Sequence, residues 1–266
     1  MPLTEFQRSV CRLIAAERIA NGESYVAGGA ALNAVLNAAR VSRDIDLFHD
    51  TRDALHETWQ ADRELLESNG FTLDVIRERE SFVEVLIRKG SDTVTLEWVQ
   101  DSAFRFFPLV EHDDFGLTLH PFDLATNKVL ALVGRLEVRD WIDLLNCCDK
   151  IQPLGYLAWA ACGKDPGFSP AMILAEARRS SRYTQVEVDT LQFHGTSAPS
   201  ASELAISWHE KLGEAEQIID LLPVADVGKA VLAPDGTLCA RSVSVLQNQE
   251  LYFHGGSIRG AWPRLR

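Results

Sequence analysis

The chain has 266 residues, a formal net charge of −12 at pH 7 and the composition of an ordinary globular protein. This acidic balance argues against a protein that coats nucleic acid through nonspecific charge attraction, although it leaves room for a local basic pocket. We expect no membrane segment and no signal peptide, because apolar runs are short and the N-terminus is charged. Five cysteines without CxxC spacing predict buried thiols in a cytoplasmic protein rather than disulfides or a zinc site.

Helix and strand patterns alternate over the first 120 residues. Three strands rich in β-branched and aromatic residues predict antiparallel neighbours at Phe71–Ile76, Phe82–Arg88 and Thr93–Val99. A mixed sheet with helices on one side is the expected result, within an α+β core. The elements predicted before those strands are a helix capped by Thr4, a strand at Tyr25–Ala27, a helix over Ala30–Ala39, a strand at Asp44–Phe48 and a helix over Thr51–Asn69.

From Pro121 to Leu222 the pattern is helical, and the tail after it turns to strands. The Asp-Gly pair at Pro234-Asp235-Gly236 predicts a terminal β-hairpin. We therefore predict two domains, 1–120 as the catalytic lobe and 121–266 as a helical lobe with terminal strands. The strands expected in the tail are Ala230–Ala233, Thr237–Ser242 and Glu250–His254.

The segment from Tyr25 to Asp50 is the most informative part of the chain. Gly28-Gly29 follow a short strand and precede a helix, so backbone N–H groups there can approach an anionic ligand closely. Asp44 and Asp46 alternate on the next strand, which places both carboxylates on one face. Two acids beside a phosphate-binding turn predict Mg²⁺ bound together with a nucleoside triphosphate.

A third carboxylate often completes such a site, as a metal ligand or as a base for the attacking hydroxyl. Glu97 is the preferred candidate because it lies mid-strand between apolar residues, where an unpaired charge is costly. Asp101, at the expected end of the same strand, and Glu84, on the preceding strand, remain the alternatives.

A second cluster lies between Asp123 and Leu145. Lys128 and Arg135 are two helical turns apart and share a face, where they suit the β- and γ-phosphates. Asp140 and Asp143 share a face of the next helix. Surface salt bridges between these acids and neighbouring arginines are an equally ordinary interpretation of the pattern.

The order Gly28-Gly29, then Arg40-x-Ser42-x-Asp44-Ile45-Asp46-Leu47, resembles the AbiEii-type toxin nucleotidyltransferases of the DNA polymerase β superfamily. Ser42 stands where that family more often has Thr. A second run strengthens the resemblance, since family members carry a Lys, an Ala-Leu with an Arg, and an Arg-Asp-x-x-Asp-Leu motif. These read here as Lys128, Ala131-Leu132, Arg135 and Arg139-Asp140-Trp141-Ile142-Asp143-Leu144.

The resemblance implies a nucleotidyltransferase-fold N-terminal lobe with a mixed sheet, followed by a mainly helical lobe. It also implies transfer of a nucleoside monophosphate from an NTP to a hydroxyl, with Mg²⁺ as cofactor. By resemblance, nucleotide binding falls to Gly28, Gly29, Arg40, Ser42, Lys128 and Arg135. Metal binding and catalysis fall to Asp44, Asp46 and Glu97. Asp143 would orient Lys128 or the base.

The acceptor that the resemblance implies is the 3′ end of tRNA, and the implied partner is a cognate antitoxin. Two other functions remain open, a nucleotidyltransferase that modifies a small molecule such as an antibiotic, and a non-catalytic nucleotide-binding module. For a tRNA acceptor we expect basic residues around the site, namely Arg40, Arg43, Lys128, Arg135 and Arg259. Other arginines could contact a polyanion or only balance an acidic surface, namely Arg178, Arg179, Arg182, Arg241, Arg264 and Arg266.

Overall fold

The computed structural model describes residues 3–240, 243–246 and 250–264. Its helices are α1 Glu5–Asn21, α2 Gly28–Val35, α3 Arg52–Ser68, α4 Pro121–Arg135, α5 Val138–Lys150, α6 Leu154–Ala161, α7 Pro170–Ala177, α8 Gln185–Asp189, α9 Ala201–Leu221 and α10 Val243–Leu246. Its strands are β1 Ser24–Ala27, β2 Asp44–His49, β3 Thr72–Arg79, β4 Phe82–Lys89, β5 Asp92–Gln100, β6 Phe104–Arg105, β7 Val110–His112, β8 Gly116–Thr118, β9 Lys229–Leu232, β10 Tyr252–Gly255 and β11 Ser257–Ile258. Across the described ranges no helix is both long and apolar enough to cross a bilayer.

The chain divides into two compact units, which we call the N-terminal unit and the C-terminal unit. The units are not two continuous stretches of sequence, because Phe104–Pro108 belongs to the C-terminal unit and Phe193–Gly195 belongs to the N-terminal unit. The chain therefore passes between the units more than once. The predicted domain boundary at residue 120 stays a prediction. The N-terminal unit comprises Met1–Ala103, Leu109–His120 and Phe193–Gly195, and the C-terminal unit comprises Phe104–Pro108, Pro121–Gln192 and Thr196–Arg266.

A seven-stranded mixed sheet forms the N-terminal unit, in the order β3-β4-β5-β2-β1-β8-β7. The predicted antiparallel run of β3, β4 and β5 is present, whereas β2 pairs with β5 in parallel. One face of the sheet packs against α1 and α3 through buried side chains such as Leu47, Leu96 and Trp98. Because successive side chains of a strand point to opposite faces, every second residue of β2, β4 and β5 lies on the other, partly exposed face.

A buried polar network lies under the covered face of the sheet. The guanidinium of Arg18 on α1 donates to Asp62 on α3 over 2.7 Å, and the Trp98 indole donates to the same carboxylate oxygen over 2.9 Å. Nearby, the His49 ring at the end of β2 lies 3.0 Å from the Ser24 hydroxyl and 3.3 Å from the Val99 carbonyl oxygen. The His49 contacts hold β2 against β1 and β5, and the contacts of Asp62 join α3 to α1 and β5.

One predicted helix has different bounds in the structure. The segment predicted as a helix over Ala30–Ala39 begins at Gly28 and ends at Val35. Asn37 follows with φ of 47°, in the left-handed region that Asn tolerates better than most residues. The chain from Leu36 to Arg43 is therefore an irregular connection between α2 and β2.

The C-terminal unit is mainly helical, as predicted, and ends in short strands. Tyr156, Trp159, Ile218 and Val231 belong to a buried apolar cluster that joins α6, α9 and β9. The hairpin was predicted between β9 and the segment directly after the turn, whereas in the structure β9 pairs antiparallel with β10. That segment makes a single bridge from Leu238 to Leu232, and the residues at 241 and 242 lie outside the described part of the chain.

Candidate active site

The turn from β1 into α2 brings a carboxylate against backbone. Gly28 has φ of +65°, and a Cβ atom built there would lie 1.7 Å from Oδ2 of Asp46. Only glycine satisfies both the left-handed backbone and this close approach. The Asp46 carboxylate therefore lies directly beside the first turn of α2, where backbone N–H groups have no partner within the helix.

Gly29 also approaches side chains closely, though less closely than Gly28, and it approaches a different pair. A Cβ atom at this position would lie 2.8 Å from Nη2 of Arg40 and 3.1 Å from Oγ of Ser42. Arg40 is only 4% exposed. The structure thus brings together, within the N-terminal unit, all four residues of that unit that the sequence assigns to nucleotide binding: Gly28, Gly29, Arg40 and Ser42.

The carboxylates of β2 lie on the partly exposed face of the sheet. Asp44 and Asp46 are half-buried, and they alternate with the fully buried Ile45 and Leu47. In the parallel register with β5, Asp46 lies opposite Glu97. Directly opposed residues of neighbouring strands project from the same face, so Glu97 lies beside Asp46.

The alternatives to Glu97 occupy different positions. Glu84 lies opposite Glu97 on β4, one strand farther from Asp46, and its carboxylate is 3.8 Å from Arg77. Asp101 follows β5 in an exposed loop, where its carboxylate accepts a hydrogen bond from the Ser102 N–H over 2.7 Å. The sheet register therefore favours Glu97 as the third acid, and its role stays a prediction.

The donor set fits a metal ion that also binds phosphate. Within residues 3–240, 243–246 and 250–264, no three His, Cys, Asp or Glu side chains form a group able to hold a metal ion by themselves. Magnesium in nucleotide enzymes is usually held by one or two carboxylates together with substrate phosphates. The half-buried Asp44 and Asp46, beside a glycine cradle that a Cβ atom would fill, suit that arrangement.

A second constellation lies in the C-terminal unit. The Lys128 ammonium is 2.8 Å from Oδ1 of Asp140 and 3.1 Å from Oδ2 of Asp143. Arg135 binds Asp140 with two nitrogens, Nε at 2.6 Å and Nη2 at 2.9 Å. Lys128 and Arg135, predicted to share a helix face, therefore converge on one carboxylate.

Asp140 and Asp143 are fully buried. Burial by itself raises the pKa of Asp140, but the hydrogen bonds from Arg135 and the charge of Lys128 outweigh it, so the pKa lies below its ordinary value. The Asp140 carboxylate is therefore ionised at neutral pH and fixes both cations. Arg139, its neighbour in sequence, instead pairs with Glu137 over 2.6 Å.

Comparison with known proteins identifies the family. Residues 15–155 match the family model described as nucleotidyl transferase AbiEii toxin, type IV toxin–antitoxin system. The chain belongs to this family. The predicted family and the predicted enzyme class, a nucleotidyltransferase, are thereby confirmed.

Solved structures show the same fold for this AbiEii-family protein. JHP933 from Helicobacter pylori aligns with a TM-score of 0.55 at 15% identity, over 82% of this chain and 95% of that chain. A second H. pylori structure, described as a candidate nucleotidyltransferase, aligns with a TM-score of 0.52 at 16% identity, over 82% of this chain and 98% of that chain. These alignments confirm the predicted fold class. A search of the curated proteins found no match.

The sequence-based prediction for this AbiEii-family protein included Asp143 as a site residue but assigned no role to Asp140. The structure makes it the carboxylate that both Lys128 and Arg135 bind. The available signal was its i, i+3 spacing from Asp143, which already placed both acids on one helix face. The sequence does not show that this face of α5 lies against α4, which carries Lys128 and Arg135.

The basic run after α7 is largely neutralised by neighbouring acids. Arg178 pairs with Glu216, and Arg179 pairs with Glu176 over 2.6 Å. Arg259 has φ of 65° in the C-terminal tail. Two of the arginines considered for polyanion contact, Arg241 and Arg266, lie outside the described residues.

Proposed function

We propose that this AbiEii-family enzyme transfers a nucleoside monophosphate from an NTP to the 3′ hydroxyl of tRNA, in a Mg²⁺-dependent reaction in the cytoplasm. The observation that supports the proposal best is the row formed by Asp46 and Glu97 beside the glycine turn. Carboxylates on one partly exposed sheet face, beside a glycine turn that could bind phosphate, would provide what a phosphoryl-type transfer needs, namely positioning and charge neutralisation.

In this proposal the N-terminal unit binds the triphosphate. Backbone N–H groups of Gly28 and Gly29 at the start of α2 would donate to phosphate oxygens, with Arg40 and Ser42 alongside. Asp44 and Asp46 would hold the metal, which when bound supplies charge neutralisation and lowers the pKa of the attacking hydroxyl. Glu97 would accept the proton of that hydroxyl, or serve as a third metal ligand.

Lys128 and Arg135 would bind the leaving pyrophosphate, the phosphate-binding role that the family resemblance implies for them. Asp140 and Asp143 would act as positioning residues, because they hold the Lys128 ammonium between two buried carboxylates. The Arg135 side chain, which is 46% exposed, keeps access to solvent while Asp140 fixes the orientation of its guanidinium. Fixed cations of this kind stabilise charge on a leaving group without reorganising.

The acceptor and the partner rest on family membership. A toxin of a type IV toxin–antitoxin system implies a cognate antitoxin, and tRNA is the acceptor that the family resemblance implies. A cationic small molecule is the second candidate acceptor. The neighbouring acids Asp46, Glu97 and Glu84 on the partly exposed sheet face and the net charge of −12 favour that alternative.

One experiment separates these acceptors. The protein is incubated with each labelled NTP and Mg²⁺, together with tRNA, periodate-oxidised tRNA or an aminoglycoside. We expect label in intact tRNA, none in oxidised tRNA, which lacks the 3′ diol, and none after addition of EDTA. Label in the aminoglycoside alone would replace tRNA with a small-molecule acceptor, and no labelling with any acceptor would contradict the proposed transfer.

A further inference from the structure

Three residues far along the chain belong to the N-terminal unit. Phe193–Gly195, which we call the strap, are assigned to that unit, whereas the residues on either side of them belong to the C-terminal unit. Phe193 forms an antiparallel bridge with Arg40. The N–H of His194 donates a hydrogen bond to the Ala39 carbonyl over 2.8 Å.

The strap therefore binds the irregular connection between α2 and β2, the segment that carries Arg40 and Ser42. A second contact holds the same connection at the Ser42 end. There Gln7 on α1 donates through Nε2 to the Ser42 carbonyl over 2.9 Å. Since the connection forms neither helix nor sheet of its own, these contacts from distant parts of the sequence restrain its backbone.

The restraint on this connection also affects the glycine turn, because the connection carries Arg40, which lies next to Gly29. The Arg40 guanidinium lies so close to Gly29 that a Cβ atom there would be 2.8 Å from Nη2. A shift of the Arg40 backbone would carry the guanidinium with it. Small displacements of such a group weaken binding, because charge-assisted hydrogen bonds to phosphate depend on distance and angle.

We propose that the strap is a positioning element for the triphosphate, which keeps Arg40 and Ser42 against Gly29 at the start of α2. This inference rests on the proposed function, in which these residues bind the NTP. The strap acts through its backbone, since the contact to Ala39 uses the His194 N–H and not its imidazole. It adds Phe193 and His194 to the residues that control NTP affinity, although neither belongs to a recognisable motif.

A matched pair of substitutions at one position isolates the backbone contact. His194→Pro removes the N–H donor, and an extended Phe193 is the conformation that a following proline prefers. His194→Ala removes the imidazole and keeps the donor. We expect the NTP KM, and the NTP Kd from equilibrium binding, to rise about 3- to 10-fold in His194→Pro, the range of one hydrogen bond, and to stay within about twofold in His194→Ala.

A second pair tests the turn that ends the strap, in case His194→Pro fails to fold. Gly195 has φ of +72°, and a Cβ atom there would have no neighbour within 4 Å, so a substitution acts through the backbone alone. Gly195→Ala disfavours this conformation, whereas Asn tolerates it better. We expect Gly195→Ala to raise the NTP KM and Gly195→Asn to restore most of the affinity.

The outcomes distinguish the strap from the proposed function. An unchanged acceptor KM and kcat, with weaker NTP binding only in His194→Pro and Gly195→Ala, supports the strap as a positioning element. Equal NTP affinity in wild type and both of these variants overturns the inference and leaves the proposed function standing. An equal loss in NTP KM, acceptor KM and kcat also overturns it, because that pattern indicates general destabilisation. If the wild-type protein binds no NTP, both proposals fall.

Discussion

The two units use the same residue types in opposite ways. In the N-terminal unit, Asp44 and Asp46 are half-buried on a partly exposed sheet face beside a glycine turn. In the C-terminal unit, Asp140 and Asp143 are fully buried and paired with Lys128. An Asp-x-Asp on a strand and an Asp-x-x-Asp on a helix therefore differ in their surroundings: the first leaves carboxylate oxygens partly exposed, and the second fixes a cation.

The difference has energetic consequences. A partly exposed carboxylate keeps much of its hydration, so removing it changes binding more than stability. A buried ion pair is different, because deleting one partner leaves an uncompensated charge in a medium of low polarity. Mutations in the two units should consequently separate, with loss of activity dominating in one and loss of stability in the other.

The largest expected effect is on activity in the N-terminal unit. Asp46→Ala should reduce NTP-dependent transfer by about 10³-fold or more, because the carboxylate proposed to hold the metal would supply several kcal/mol of transition-state stabilisation. Its melting temperature should stay close to that of the wild type. Asp74→Ala is the control, since Asp74 is an exposed sheet residue paired with Arg88 at 2.8 Å. Activity of Asp46→Ala within tenfold of wild type would refute the metal assignment.

The next effect is on stability in the C-terminal unit. Lys128→Ala should lower the free energy of unfolding by about 3–5 kcal/mol, because it leaves Asp140 and Asp143 buried without their shared cation. Denaturant titration measures this loss. Arg179→Ala, which breaks an exposed pair with Glu176, should change stability by at most about 1 kcal/mol.

Lys128→Ala also tests the phosphate assignment at a temperature where the variant stays folded. The NTP KM should rise more than the acceptor KM, since the proposed contact is to the triphosphate. A rise in the acceptor KM alone would instead assign Lys128 to acceptor binding.

An effect that is smaller within any one pH unit concerns the pH dependence of the N-terminal unit. Burial and the nearby charge of Arg18 lower the pKa of His49 from 6.5 to about 3. The folded state therefore keeps His49 neutral while the unfolded state binds a proton below pH 6.5, so stability is lost as the pH falls from 6.5 towards 3. In that window the wild type should lose up to about 1.4 kcal/mol per pH unit relative to His49→Gln. Parallel stability curves for the two proteins would contradict this prediction.

The smallest effect is expected inside the second motif itself. Arg139 pairs with Glu137 at the surface, with side chains 39% and 42% exposed, so Arg139→Ala should cost at most about 1 kcal/mol. The NTP KM should not change, because the contacts to Asp140 come from Arg135 and Lys128. A KM increase comparable to that of Lys128→Ala would show that Arg139 also contacts the triphosphate.

Much of the N-terminal site could be predicted from local sequence. The alternation of Asp44 and Asp46 with apolar residues determines which side of β2 they occupy, because side chains alternate along any strand. Gly28 marks the turn, since no other residue type combines its positive φ with the close approach of Asp46. Likewise, the seven-residue spacing of Lys128 and Arg135 placed both on one face of α4, as helical geometry requires.

The tertiary structure decided what depends on pairing between distant segments. The parallel register of β2 and β5 aligns Glu97 with Asp46 and leaves Asp101 beyond the strand. Helix packing makes Asp140 the common partner of Lys128 and Arg135, and the return of Phe193 to Arg40 creates the strap. The local repeat of the sequence determines on which face of a strand or helix a side chain lies. Which side chains it meets there depends on packing between distant segments, and a short stretch of sequence does not contain that information.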